Sequence, residues 1–119
     1  MPVPKLSLDD ALGRLQALGR ARITLGSGAA VATLEGPLSF KDAGGELVLG
    51  VGCSCTVRLP RERIRHAVLS EKESQGQVAV HVQLFDGNYD KLAAFVFPEG
   101  LTGARALIAS LDGNDFEIG

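Results

Sequence analysis

The sequence predicts an α+β fold: a mostly antiparallel β-sheet with an N-terminal and a C-terminal helix. Three observations carry that reading. Apolar residues recur at helical spacing near both ends, short or alternating apolar runs fill positions 22 to about 97, and turn-forming residues separate those runs.

At the start, Ser7 followed by Asp10 reads as a variant capping box. Leu8, Ala11, Leu12, Leu15 and Leu18 then share one helical face until Gly19 offers a stop. Strands are expected near 23–25, 30–34, 38–41, 46–49, 54–59, 64–70, 77–85 and 91–97. Gly26-Ser27-Gly28, Gly36-Pro37, Ala43-Gly44-Gly45 and Asp86-Gly87-Asn88 tolerate positive φ or set a turn, which favours hairpins over crossovers. After Pro98, Leu101, Ala104, Leu107, Ile108 and Leu111 return to helical spacing, with Thr102 as the expected N-cap and Gly113 past the end.

Composition bounds the function classes. A chain of 119 residues suits one domain, expected over 1–119, and buries roughly two-thirds of the surface that its unfolded form exposes. With 45% hydrophobic and 22% charged residues it should fold without a partner. A net charge of −2, from 12 Lys+Arg against 14 Asp+Glu, supplies no broad positive field for phosphates, so nucleic acid is disfavoured. No apolar run reaches the roughly 20 residues that span a bilayer, and Met1 to Asp10 lacks a basic region followed by an apolar one. A cytoplasmic location is expected. Cys53 and Cys55, one residue apart, fit a reducing compartment rather than a disulfide framework.

Each residue capable of chemistry has an ordinary structural reading beside its functional one. Cys53 and Cys55 fall in an apolar alternating row with Val51 and Val57 and read as buried thiols; a zinc site would need more than these and two histidines. His81 lies opposite the core face formed by Val78, Val80, Val82 and Leu84, where it serves either sheet packing or metal ligation. His66 alternates with Ile64 and Val68, which directs it towards the core. Arg58, Arg61, Arg63 and Arg65 crowd one stretch suited to a carboxylate or phosphate, or else form a solvated strand end balanced by Glu71 and Glu73. Walker loops, dinucleotide fingerprints, nucleophile elbows and helical zinc-histidine pairs are all missing from the sequence.

Several segments together resemble the bacterial cytosolic haem-utilisation carriers, the HutX/ChuX group and the repeated half of the HemS/ChuS-like proteins. They are Ser27-Gly28 through Glu35-Gly36-Pro37-Leu38 with Phe40, Gly45-Glu46-Leu47, and Val57-Arg58-Leu59 with Ile64. Val82-Gln83-Leu84-Phe85-Asp86 followed by Leu92-Ala93-Ala94-Phe95-Val96-Phe97 is similar to that family's long hairpin. The resemblance covers nearly the whole chain. It implies a sheet-lined cleft for haem, a histidine reaching the iron, basic groups near the propionates, and a homodimer. In this sequence the ligand would be His81 or His66, and the cations Arg58, Arg63 or Arg65. The family's Gly-His-Gly-aromatic segment has no counterpart between Gly44 and Gly52, and aromatic content is only 5%.

The expectation is therefore a non-enzymatic haem carrier-like protein. Its rivals are a dimeric protein-interaction module of the same fold without haem, and an enzyme whose sheltered pocket gathers titratable groups.

Overall fold

The computed structural model describes residues 4–27, 30–51, 55–74, 76–111 and 113–118. The elements run β1 (Lys5–Leu6), α1 (Leu8–Gln16), β2 (Ala21–Ser27), β3 (Ala30–Gly36), β4 (Leu38–Ala43), β5 (Glu46–Val51), β6 (Cys55–Pro60), β7 (His66–Ser74), β8 (Gln77–Phe85), β9 (Lys91–Phe97), α2 (Leu101–Leu111) and β10 (Asp115–Ile118). A 3-10 turn, Arg61–Arg63, joins β6 to β7.

Helix α1 begins where its sequence says it should: the Ser7 hydroxyl accepts a hydrogen bond from the Asp10 N–H at 3.2 Å. It gives way at Gly19, whose φ of 100° suits glycine. Its inward face carries Leu8, Ala11, Leu12 and Leu15. Helix α2 begins one residue earlier than its expected cap. The Gly100 carbonyl accepts the first helical bond, from Ala104 N–H, so Thr102 lies inside the first turn.

The strands divide into two sheets where the sequence suggested one. A seven-stranded sheet has the order β1-β10-β7-β8-β9-β2-β3, and a three-stranded sheet has the order β4-β5-β6. Hairpins dominate, as expected: β2–β3, β4–β5, β5–β6, β7–β8 and β8–β9 are all antiparallel neighbours. The β4–β5 turn places Gly44 and Gly45 at φ of 60° and 91°, the positive pair required by a two-residue turn that matches strand twist. The expected turn at Gly28 and the thiol of Cys53 fall outside the described residues, as does the Cys55 side chain.

Three pairings are not local. Strand β9 returns to β2, and β10 inserts between β7 and a parallel β1. Strand β10 reads Asp115-Phe116-Glu117-Ile118, with Phe116 and Ile118 buried. No strand is expected here from the sequence, because the alternating segment is only four residues long and follows a helix.

One row of the large sheet shows how period-2 patterning builds the core. Leu69 opposes Val82, Val82 opposes Phe95, and Phe95 opposes Ile23, all four at 0% exposure. Each such side chain contributes about 1.5–3 kcal/mol through burial. Leu47, Leu49 and Leu59 of the small sheet and the inward faces of both helices join the same cluster. The other face of the large sheet carries Val68, Ser70, His81, Gln83, Phe85 and Val96, none of them fully buried.

Candidate functional site

His66 opens β7, opposite Phe85 of β8 and Glu117 of β10. The alternation with Ile64 pointed it inward, and the structure corrects this. The 3-10 turn interrupts the extended chain before His66, so Ile64 is buried from the turn while Ala67 and Leu69 take the inward positions. His66, Val68 and Ser70 consequently face outward.

Above His66 lies the β8–β9 hairpin. Its organising group is Asp86, 7% exposed, whose Oδ1 accepts from the backbone N–H of Asn88 at 2.9 Å and of Asp90 at 3.0 Å. The Arg63 guanidinium donates to Oδ2 at 3.3 Å. The Asp90 N–H, then those of Asn88 and the Arg63 guanidinium, hold the Asp86 carboxyl below its ordinary range, against the opposing effect of burial. Tyr89, at the end of this turn, has φ of 62° and lays its ring on the His66 imidazole, with centroids 4.2 Å apart and planes 12° from parallel. Phe85 meets the same phenol ring at 6.4 Å, tilted by 50°.

Beside this stack is a surface cleft of about 310 Å³ lined by Lys5, Arg65, His66, Gly87, Glu117 and Ile118. A second cleft, about 410 Å³, shares Arg65 and Ile118 and continues past Ser7, Arg61 and Ile64. Both lie near the lower end of the roughly 300–1,000 Å³ typical of small-molecule sites. Only the smaller one meets a histidine, so the chemistry is placed there rather than in the larger opening.

The five residues singled out by sequence do not form one cluster. His66 and Arg65 line the same cleft. Arg63 lines neither cleft and has its guanidinium engaged by Asp86, and Arg61 similarly reaches Asp9 at 3.4 Å. These partners replace the expected balance by Glu71 and Glu73, for Glu71 is held by Arg105 of α2 at 2.7 Å. Arg58 is exposed on β6 opposite Val48, in the small sheet, away from both histidines.

His81 shares the outward face with His66 but not its site. It pairs with Ser70 and Val96, while His66 pairs with Phe85, so four residues, about 13 Å, separate them along the sheet. They cannot grip one iron from opposite sides. Burial, then the charges of Lys72 and Lys91, lowers the His81 pKa below its ordinary 6.5. Sequence reasoning missed Lys5 and Tyr89; only the turn chemistry of Asp86-Gly87-Asn88 pointed towards the hairpin that carries Tyr89. Among the described residues, no three acids, histidines or thiols gather as a metal site, and no helix is long and apolar enough to cross a membrane.

Chemically, the cleft offers an imidazole whose ring edge can ligate or hydrogen-bond, two cations, Lys5 and Arg65, and one carboxylate, Glu117, with the Tyr89 ring backing the imidazole. No protein-family model and no curated protein matches the sequence. Among solved structures, the chain is similar to ChuX, a haem-binding protein: the TM-score is 0.72 at 16% identity, with 88% of this chain aligned to 72% of ChuX. A protein from Erwinia carotovora aligns with a TM-score of 0.69 and 15% identity, over 87% of this chain and 70% of that one. ChuS, an E. coli haem oxygenase, aligns with a TM-score of 0.66 and 18% identity, over 88% of this chain and 35% of ChuS. The antiparallel-dominated sheet with its two helices, together with this likeness over nearly nine-tenths of its length, gives the chain the ChuX/HemS-type fold.

Proposed function

We propose that the chain is a non-enzymatic, cytoplasmic haem carrier-like protein, one domain over residues 1–119, in which His66 supplies the axial ligand. The observation that carries this reading is the meeting of His66 and Arg65 in one cleft, on a fold shared with a haem-binding protein. An imidazole edge ligates iron through a ring nitrogen, and Arg65 and Lys5 suit the propionates that a porphyrin presents at its rim. The cleft is small for a whole macrocycle, so the reading has haem entering by one edge.

His81 and Arg58 take no part in this arrangement, and Arg63 acts on the hairpin rather than on the ligand. As a homodimer, a second copy laid on the outward sheet face would cover Val68, Phe85 and Val96 and shelter the exposed part of the porphyrin; light scattering at twice the chain mass supports that state, and a monomer with hemin bound removes it.

Titration with hemin tests the assignment. The expected result is a Soret band distinct from that of free hemin, much weakened in His66→Ala and retained in His81→Ala. Absence of the band in the unaltered protein, or a His66→Ala spectrum identical to it, overturns the reading.

A further inference from the structure

Tyr89 occupies a left-handed backbone position, φ 62°, which L-residues with a Cβ adopt at a steric cost and which turns ordinarily assign to Gly, Asn or Asp. The turn contains Gly87 and Asn88, yet neither stands at this position. Burial does not account for the choice, because Tyr89 is 65% exposed. The turn nevertheless holds it firmly: Tyr89 N–H donates to the Asp86 carbonyl at 3.0 Å, and the Asp86 carboxylate secures the residues on either side. What the strained residue gains is the His66 ring, in parallel contact at 4.2 Å. Strain that persists without burial marks a position maintained for its contact.

We propose that Tyr89 is a positioning residue for His66. A ring lying flat on one imidazole face blocks rotation of that imidazole towards the hairpin and does not itself cover the ring edge, where both nitrogens sit. Arg63 and Asp86 act one step further out, by fixing the turn that carries Tyr89. The ligand this arrangement suits coordinates in the imidazole plane and carries negative charge towards Arg65 and Lys5, that is, a metal centre in a planar anionic frame. The identity of that ligand rests on the haem reading above; the orientation of His66 does not.

Two measurements test the proposal separately. In the ligand-free protein, the ring protons of His66 are expected to resonate upfield through the ring current of Tyr89. Tyr89→Phe keeps that displacement and Tyr89→Gly abolishes it, while the glycine variant stays folded because its backbone favours this φ. With hemin, Tyr89→Gly is expected to weaken binding on the order of 10-fold or more, the usual effect of losing a group that orients a metal ligand, and Tyr89→Phe to restore it. Unchanged His66 resonances in Tyr89→Gly, or a Tyr89→Phe variant as impaired as Tyr89→Gly, overturn the positioning role. If the unaltered protein ignores hemin, the haem reading fails while the resonance comparison still decides the stack.

Discussion

Gly100 sits where the end of β9, the chain after α1 and the first turn of α2 converge, and replacing it by alanine tests whether that junction is as tight as it looks. A Cβ there would stand 2.9 Å from the Cβ of Phe97 and 3.0 Å from both the Cβ and the carbonyl oxygen of Leu18. Favourable carbon contacts lie near 3.5–4.0 Å, so the methyl intrudes by roughly 0.5–1 Å on each. None of the three atoms is the swinging end of a side chain. Relief therefore requires movement of backbone, for which about 1–3 kcal/mol is the usual cost. In a chain of 119 residues each kcal/mol moves the melting temperature by roughly 3–6 °C, so Gly100→Ala should melt roughly 3–18 °C lower. Gly103→Ala is the control. Its new Cβ meets only the Leu18 Cδ2, at 3.0 Å, which a small side-chain rotation clears. Alanine in a helix interior also gains about 1 kcal/mol over glycine, so this variant should match or exceed the parent. Circular dichroism melts of the three proteins decide the matter. A Gly100→Ala protein as stable as the parent, or a Gly103→Ala protein equally weakened, would refute the reasoning.

Two pH-linked outcomes follow from the hairpin and the outward sheet face. The folded state binds a proton at His81 less tightly than the unfolded chain, whose histidine titrates near 6.5. Stability from this group is complete above that pH and declines as acidification proceeds below it; His81→Gln should flatten the profile there, and an NMR titration midpoint at or above 6.5 would contradict the cause assigned. Asp86 runs the other way in charge but not in direction. Its carboxylate is favoured by folding, so its contribution is complete above about 3.8 and is lost as pH falls through the lower folded value. At neutral pH, Asp86→Asn should speed hydrogen exchange at the Asn88 and Asp90 amides and lower the melting temperature; unchanged exchange would show that the carboxylate does not organise the turn.

Much of the architecture was legible because local chemistry and tertiary packing agree. Strands β8 and β9 follow the expected 77–85 and 91–97, since alternation and the Asp86-Gly87-Asn88 turn leave one register in which the apolar residues share a face. Helix α1 was equally plain from Ser7 and Gly19. The candidate site was legible only in part. His66 and Arg65 were named, but an inward direction was expected for His66 because nothing in Arg61-Glu62-Arg63 announces a 3-10 turn. Arg58 was grouped with the other arginines by proximity in sequence, which a strand-to-strand passage between two sheets undoes.

Residue order alone determined the fold class, the positions of both helices and most strands, and the hairpin turns, since these depend on spacing, caps and glycine within a few neighbours. Tertiary structure alone decided that the strands form two sheets, that β10 enters beside β7, and that Lys5, Arg65 and His66 line one cleft with Tyr89 stacked on His66. Those residues come from β1, the β7 region and the far hairpin, up to 84 positions apart between Lys5 and Tyr89. Contacts at such separations are set by how whole faces of sheet and helix bury one another, a property of the assembled core that local patterns of residues do not contain.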